Sequence, residues 1–190
     1  MTRIAILASG SGSNAEAIIK AFEKSAAIKL SLVISNNKDA GVLERAQKYS
    51  VPTCVINSKQ SKEGALLKTL NDYSIDFVVL AGYMKLIPSN IIEAYPNKIV
   101  NIHPALLPKY GGKGMYGMHV HEAVVENNET ETGITIHYVN EHYDEGTIIF
   151  QATCDVNSND SAEDVAAKIH ELEMEHFPKV VERLLNQSIL

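Results

Sequence analysis

Residues 3–14 read Arg-Ile-Ala-Ile-Leu-Ala-Ser-Gly-Ser-Gly-Ser-Asn. The first half is an apolar run of strand length, and the second half is a turn rich in glycine and serine. The segment 15–24 follows with apolar residues at helical spacing. A buried strand, a glycine-rich turn and an amphipathic helix form the opening unit of a doubly wound fold, so this stretch predicts an α/β protein with a Rossmann-like N-terminal half.

The same alternation continues outward from this unit. Further strands are predicted at residues 28–35, 53–56, 76–81 and 98–102, with helices at 40–49, 62–73 and 90–95 between them. Strands that alternate with helices predict a parallel sheet covered on both faces.

The last third of the chain has a different pattern. Residues 115–126 predict a helix, and residues 132–139 and 147–154 predict two strands joined by a tight loop, which therefore pair antiparallel. A final helix begins after Ser161 as its N-cap and runs to about residue 185. We find no domain boundary and expect a single domain over residues 1–190.

The composition excludes several classes of partner. The formal net charge is -6, which disfavours binding to nucleic acid or to an anionic membrane surface. No apolar run approaches the length of a membrane span, and the N-terminal apolar stretch is too short for a signal peptide. We therefore expect a cytoplasmic protein.

The turn at residues 9–14 has the composition of a phosphate-binding site. Glycines let the backbone approach a ligand closely, and the helix that follows offers free N–H groups and its positive dipole end. The spacing matches neither the dinucleotide fingerprint nor the Walker loop. We expect this turn to bind phosphate with added donors from Ser13 and Asn14; the alternative is a capped turn in which one of them is only the helix N-cap.

The stretch Asn101–Pro108 reads Asn-Ile-His-Pro-Ala-Leu-Leu-Pro and follows a predicted strand. Asn101 and His103 are two residues apart in an extended segment, so their side chains share one face. Histidine moves a proton near neutral pH, and asparagine can hydrogen-bond a developing oxyanion. We predict a catalytic pair at this strand end; the alternative for His103 is a satisfied surface histidine.

Asp144 lies between the last two predicted strands, within residues 133–146. A carboxylate there could orient His103 and hold it in its charged form, because a paired carboxylate raises the pKa of an imidazole. The alternative is that Asp144 only caps its own loop. His137 is interpreted as a strand residue and the segment 170–175 as a solvated helix face. No spacing fits a metal site, and none is expected.

At four motifs the chain resembles the phosphoribosylglycinamide formyltransferases that use 10-formyltetrahydrofolate, and the similarity extends over essentially the whole chain. These motifs are residues 9–14, 80–84, 101–108 and 133–146. The resemblance implies a three-layer α/β/α formyltransferase fold, in which a mixed, mostly parallel seven-stranded sheet contains one antiparallel strand. It also implies a cis peptide bond at Leu107-Pro108.

The resemblance further implies a role for each motif. The implied catalytic residues are Asn101, His103 and Asp144. The implied substrate-binding residues are Gly12, Ser13, Asn14 and Glu173, the first three holding a phosphate. The implied folate-binding residues, which act largely through backbone and apolar contacts, are Met84, Lys85, Leu86, Ile87, Asn101 and Val139. Residues 111–118 depart from the family pattern by a few extra residues, so contacts from that loop are not carried over.

The implied reaction moves the formyl group of 10-formyltetrahydrofolate to the amine of N1-(5-phospho-D-ribosyl)glycinamide in de novo purine biosynthesis. The expected partners are these two small molecules, with no metal, no nucleic acid and no membrane, in a monomer or homodimer. The alternatives are a formyltransferase acting on initiator tRNA or an amino sugar, a formyl-folate hydrolase, and a non-catalytic nucleotide-binding module. On length and charge we expect neither the RNA-binding domain of the tRNA enzyme nor the regulatory domain of the hydrolase. The last alternative leaves Asn101, His103 and Asp144 without a role.

Overall fold

The computed structural model describes residues 1–187. The strands are β1 (Thr2–Leu7), β2 (Ile28–Ser35), β3 (Thr53–Val55), β4 (Phe77–Leu80), β5 (Ile99–His103), β6 (Glu131–Tyr138) and β7 (Ile148–Asp155). The helices are α1 (Ser13–Phe22), α2 (Gly41–Lys48), α3 (Ser58–Lys62), α4 (Ala65–Asp72), α5 (Ser89–Ala94), α6 (Met118–Glu126) and α7 (Ala162–Gln187).

These seven strands form one sheet in the order β3-β2-β1-β4-β5-β6-β7. The first five strands run parallel, and β6 is antiparallel to both β5 and β7. The predicted mixed sheet with one antiparallel strand is therefore confirmed. The strand order reverses between β1 and β4, and ligands of open α/β sheets bind at the carboxyl ends of the strands beside such a switch point.

Strand β1 shows why the fold has three layers. Ile4 and Ile6 pack with residues of α1, α2 and α7 on one face of the sheet, whereas Ala5 and Leu7 pack with residues of α4 and α5 on the other face. All four side chains are fully buried. A strand whose two faces are both covered must be apolar throughout, which is the pattern that identified it in the sequence.

Three predicted elements differ in detail from the structure. The helix expected over residues 62–73 is α4 and begins only at Ala65, because Gly64 has a φ of 90° and separates it from α3, a short helix that the sequence interpretation did not predict. The helix expected from Met115 begins at Met118, since Gly117 has a positive φ that helical residues do not adopt. The connection between β6 and β7 spans residues 139–147 and is not a tight loop.

The final helix confirms its predicted start. The backbone N–H of Asp164 donates to Ser161 Oγ at 3.1 Å, and the N–H of Ser161 donates to the Asp164 carboxylate at 2.9 Å, a reciprocal cap. The helix continues through Pro178 to Gln187. The Leu107-Pro108 bond is cis, as the resemblance implies. Within residues 1–187, no helix is both long and apolar enough to cross a membrane.

Candidate active site

A cleft with a volume of about 640 Å³ opens at the carboxyl ends of β1, β4 and β5. It is lined by residues 10–14, 81–85, 101–104 and 112–117, by His121, Tyr143 and Asp144, and by Ala166, Ile169, His170 and Glu173 of α7. The structure thereby brings together nine of the predicted site residues, namely Gly12, Ser13, Asn14, Met84, Lys85, Asn101, His103, Asp144 and Glu173. Leu86, Ile87 and Val139 lie outside its lining.

The glycine-rich turn presents backbone donors to the cleft. Gly12 is the N-cap of α1 in the left-handed conformation, with φ 80°, and no side chain of residues 1–187 caps this helix end. The interpretation of Ser13 or Asn14 as a side-chain N-cap is therefore wrong. The first helical hydrogen bond runs from the N–H of Glu16 to the carbonyl of Gly12 at 2.9 Å, which leaves the preceding N–H groups for a ligand.

Helix α2 packs against this turn and supports its conformation. A Cβ atom at Gly12 would lie 2.5 Å from side-chain atoms of Val42, so the close approach of the two segments requires glycine. The N–H of Val42 donates to the carbonyl of Gly10 at 3.1 Å, and Arg45 Nε donates to the carbonyl of Ser11 at 2.8 Å. The shape of the turn is thus fixed by the protein before any ligand binds.

Asn14 and Glu173 meet across the cleft floor although they are far apart in the chain. Asn14 Nδ2 donates to Glu173 Oε2 at 2.9 Å, and Asn14 Oδ1 is buried without a partner among residues 1–187. Burial raises the pKa of the Glu173 carboxyl above its ordinary value. The interpretation of residues 170–175 as a solvated face is wrong for Glu173, because the inner side of α7 lines the cleft. An unpartnered buried acceptor requires a donor, such as a ligand hydroxyl group.

Asn101, His103 and Asp144 converge at the opposite end of the cleft. The distance from His103 Nδ1 to Asp144 Oδ2 is 3.6 Å, and the distance from Asn101 Nδ2 to Asp144 Oδ1 is 3.4 Å. Both β5 side chains are on one face of the strand, as the spacing predicts. The connection after β6 folds back over this strand end and delivers the carboxylate.

Asp144 has little contact with its own loop. Its Oδ2 accepts the N–H of Gly112 at 3.0 Å, whereas Asn140 makes the local turn contact by accepting the N–H of His142 at 3.0 Å. Burial alone would raise the pKa of Asp144, but the adjacent rings of His137 and His103 and the Gly112 N–H together hold that pKa below its ordinary value. Asp144 is therefore a carboxylate at neutral pH.

His103 is neutral in the free protein. Its Nε2 lies 2.7 Å from the carbonyl oxygen of Tyr110, which can only accept, so Nε2 carries the ring proton. Burial lowers the pKa of His103, and the nearby Asp144 carboxylate does not offset that effect. The expectation that Asp144 holds His103 charged is therefore wrong for the free protein. Nδ1 of His103 and the Asp144 carboxylate are therefore two acceptors that face each other. An N–H group of a ligand can donate to either of them.

His137 is a site residue that the sequence interpretation missed. It lies opposite Asn101 in the antiparallel β5–β6 pair, and its Nε2 is 3.1 Å from Asn101 Nδ2. Its Nδ1 is 2.8 Å from the carbonyl oxygen of Tyr138, which can only accept, so Nδ1 carries a proton. The contact of its Nε2 with Asn101 fixes the orientation of the Asn101 carboxamide. The register of β5 against β6 is the signal that could have found it.

A second missed histidine is His121 on α6. Its side chain lines the cleft, is 6% exposed, and keeps Nδ1 buried without a partner in the described part of the chain. Burial lowers the pKa of His121, and the neighbouring His103 lowers it further. It adds a polar, uncharged group to the wall of the cleft.

The segment after β4 forms an apolar lip. The N–H of Met84 donates to Ser9 Oγ at 2.9 Å, which ties this segment to the end of β1. Met84 is 42% exposed and Leu86 46% exposed, so both offer apolar surface beside the cleft. Ile87 is 3% exposed within the core and Val139 packs against the same cluster, so these two can offer a ligand only their main chain.

The fold and this cleft define a doubly wound α/β protein with a ligand site at the carboxyl ends of its parallel strands. The chain belongs to the formyl transferase family, whose sequence profile matches residues 2–181.

Named relatives fall within the same family. The chain is 39% identical over 194 residues to a chloroplastic phosphoribosylglycinamide formyltransferase of Vigna unguiculata, an alignment that covers 99% of this chain and 62% of that protein. It therefore spans less than two thirds of the plant relative's length. It is 35% identical to the phosphoribosylglycinamide formyltransferase of Bacillus subtilis, over 97% of this chain and 95% of that protein.

A solved structure shows the same architecture. The phosphoribosylglycinamide formyltransferase from Anaplasma phagocytophilum superposes with a TM-score of 0.89 at 36% sequence identity, covering 97% of this chain and 87% of that one.

Proposed function

We propose that this protein transfers the formyl group of 10-formyltetrahydrofolate to the amine of N1-(5-phospho-D-ribosyl)glycinamide, a step of de novo purine biosynthesis. One observation carries the proposal. A carboxylate, Asp144, lies 3.6 Å from Nδ1 of His103, in the same cleft as the exposed backbone N–H groups of the glycine-rich turn at residues 10–14. Relatives that span this chain are named for the same activity.

The phosphorylated substrate would bind along one wall of the cleft. The N–H groups at the start of α1, beginning at Ser13, suit a phosphate dianion, because no side chain in the described part of the chain caps them. The unpartnered Oδ1 of Asn14 and the carboxyl of Glu173 suit the ribose hydroxyls, which are donors. The glycinamide amine would then extend toward His103.

The folate would bind along the apolar lip, with its N10-formyl group at the catalytic end. Met84 and Leu86 offer exposed apolar side chains to the rings, and the backbone of Ile87 and Val139 offers hydrogen bonds. 10-Formyltetrahydrofolate supplies an activated formyl group when bound, so the chain itself needs no covalent step.

The catalytic residues would act on charge and protons around that formyl group. The amine of the substrate titrates near pH 8, so a useful fraction is neutral and nucleophilic at pH 7. As the amine attacks, its N–H groups face two acceptors, Asp144 and Nδ1 of His103. Once protonated, His103 is paired with Asp144 and can return the proton to the leaving nitrogen.

Asn101 would stabilise the negative charge that develops on the formyl oxygen. One hydrogen of its Nδ2 is used by His137 at 3.1 Å, and the other makes only a long contact of 3.4 Å with Asp144. That second hydrogen is available to a ligand because a contact of this length is weak.

The proposal extends to the remaining expectations. It includes a single domain, two small-molecule substrates, a cytoplasmic location, no nucleic acid or membrane partner, and a monomer or homodimer. No step of the scheme requires a metal ion. Among residues 1–187, no group of three His, Cys, Asp or Glu side chains is arranged to hold one.

The direct test is an absorbance assay for tetrahydrofolate release from 10-formyltetrahydrofolate. We expect release only when the glycinamide ribonucleotide is added. Release without any acceptor would show hydrolysis, and release with an amino sugar nucleotide alone would show a different acceptor; either result would contradict the proposal. An Asn101→Ala variant purified in parallel controls for contaminating enzyme.

A further inference from the structure

Three side chains outside the cleft, Lys109, Tyr110 and Glu129, form what we call the anchor cluster. The Tyr110 hydroxyl donates to Glu129 Oε1 at 2.8 Å, and Lys109 Nζ donates to the same oxygen at 2.9 Å and to Oε2 at 3.2 Å. None of the three residues lines the cleft. The proposed reaction therefore gives none of them a direct role.

The charges of the anchor cluster define the direction of its hydrogen bonds. Lys109 and the Tyr110 hydroxyl lower the pKa of the Glu129 carboxyl, so Glu129 is a carboxylate at neutral pH and can only accept. Burial and the hydrogen bond to Glu129 raise the pKa of Tyr110 to about 12, so its hydroxyl keeps its proton and donates. The N–H of Glu129 donates to the carbonyl of Val124, in the last turn of α6, at 3.2 Å. Glu129 is thus a fixed acceptor for the Tyr110 side chain.

The anchored segment reaches the catalytic side chains through its main chain. The carbonyl oxygen of Tyr110 accepts from His103 Nε2 at 2.7 Å, and the N–H of Gly112 donates to Asp144 at 3.0 Å. Tyr110 has a φ of 56°, a left-handed conformation that is unfavourable for a bulky residue and persists only where its surroundings hold it. The hydrogen bond from its hydroxyl to Glu129 supplies such a constraint.

The carbonyl of Tyr110 competes with Asp144 for the single ring proton of neutral His103. With the proton on Nε2, the ring donates to that carbonyl at 2.7 Å, and Nδ1 can accept from a ligand. With the proton on Nδ1, the ring would face Asp144 Oδ2 as a donor across 3.6 Å and could no longer accept the proton of the substrate amine. The shorter distance favours the first tautomer. An ionised acceptor makes the stronger hydrogen bond once it is within reach, so displacement of the Tyr110 carbonyl would favour the second.

We propose that Glu129 is a positioning residue for His103. By holding the hydroxyl of Tyr110, it keeps the Tyr110 carbonyl against Nε2 and so presents Nδ1 to the cleft as a proton acceptor. The catalytic consequence rests on the proposed function, whereas the position of the ring proton does not. Because the anchor cluster acts from outside the cleft, its loss should leave the binding of both substrates intact.

The test follows the ring proton and the reaction in two variants of the whole protein, Tyr110→Phe and Glu129→Ala. At about pH 8, where histidine is neutral, NMR of the ring nitrogens should show wild-type His103 protonated at Nε2. Each variant should raise the share of the form protonated at Nδ1 and lower kcat by about two- to tenfold, the effect of one hydrogen bond. The KM values of both substrates should stay unchanged. The same spectra show whether each variant is folded.

Two further variants separate positioning from a general loss of stability. Glu129→Gln keeps a carboxamide oxygen that can accept from the Tyr110 hydroxyl, so it should retain the wild-type tautomer and most of kcat. Tyr73→Phe is the matched control, because Tyr73 is 37% exposed at the C-terminal end of α4 and does not line the cleft. It should leave the tautomer and kcat unchanged.

The possible failures are distinguishable. An unchanged tautomer in both Tyr110→Phe and Glu129→Ala would overturn the inference, and so would a shifted tautomer with an unchanged kcat or a change confined to KM. Absence of formyl transfer in the wild type would instead overturn the proposed function, and the position of the ring proton in the variants would then decide whether the anchor cluster positions His103.

Discussion

The two ends of the cleft are built in different ways. The turn at residues 10–14 presents backbone N–H groups whose positions are set by glycine and by contacts with Val42 and Arg45 of α2. The other end is built from buried side chains that titrate, His103 and Asp144, brought together by strand pairing. The first end, which we call the steric end, therefore depends on steric fit. The second end, which we call the electrostatic end, depends on the balance between burial and charge.

The largest expected effect comes from Asp144→Asn, which removes the charge of the catalytic end and keeps its shape. The carboxamide can still accept the N–H of Gly112, so the fold should be retained. We expect kcat to fall by about 10²- to 10⁴-fold, the usual contribution of proton transfer by a positioned group.

Single-turnover formyl transfer measures this effect. Glu145→Gln is the control, because Glu145 is the neighbouring carboxylate, is exposed, and does not line the cleft. Glu145→Gln should turn over at the wild-type rate. A similar rate in Asp144→Asn would show that the charge of Asp144 does not contribute to the reaction.

Gly12→Ala tests the steric end. The new Cβ would lie 2.5 Å from Val42 in a residue with φ 80°, so α2 must move or the turn must change conformation. We expect a loss of about 1–3 kcal/mol in the free energy of unfolding, measured by urea denaturation, and a raised KM for the ribonucleotide alone. Gly10→Ala has open space around its Cβ and should lose less stability. Equal losses would mean that the turn is not braced by α2.

The titration of His103 tests the electrostatic end directly. Because burial lowers its pKa, the imidazole should titrate below the ordinary value near 6.5, as followed by NMR of its ring protons. Asp144→Asn should lower this pKa further, since the carboxylate raises it. The folded state resists protonation, so His103 contributes its full stability above pH 6.5 and less as the pH falls toward its folded pKa. A pKa above 6.5 would show that Asp144 prevails over burial.

Most of the fold, and about half of the relationships among the site residues, could be predicted from the sequence. Apolar runs such as that of β4 identified the buried parallel strands, because strands covered on both faces have to be apolar. The spacing of Asn101 and His103 predicted their common face. These features depend on residues close together in the chain.

What the sequence did not show depends on distant contacts. His137 became a site residue only through its register opposite Asn101, and Glu173 only through the contact of α7 with α1. The charge state of His103 was predicted wrongly because its burial, which decides the pKa, is a property of the packed structure.

The smallest expected effect concerns the contacts between α1 and α2 that support the proposed phosphate-binding turn. Glu16 on α1 accepts from Tyr49 at 2.9 Å and pairs with Lys20 and Arg45, contacts that lower the pKa of Glu16 to about 2. A lowered pKa stabilises the folded state above the ordinary value of a glutamate and loses that effect as the pH falls toward 2.

We therefore expect Glu16→Gln to reduce the free energy of unfolding by about 1 kcal/mol or less at pH 7, since these side chains are partly exposed, and to match the wild type near pH 2. Glu44→Gln on α2 removes an exposed carboxylate that, like Glu16, lies in the first turn of its helix but has no such contacts, so it controls for the helix dipole and should reduce the free energy of unfolding less at pH 7. A pH-dependent loss in stability with an unchanged KM for the ribonucleotide would show that Gly12 and Val42 alone fix the turn. A loss in stability accompanied by a raised KM for the ribonucleotide would show that the ion pairs between α1 and α2 also help to fix the conformation of the turn.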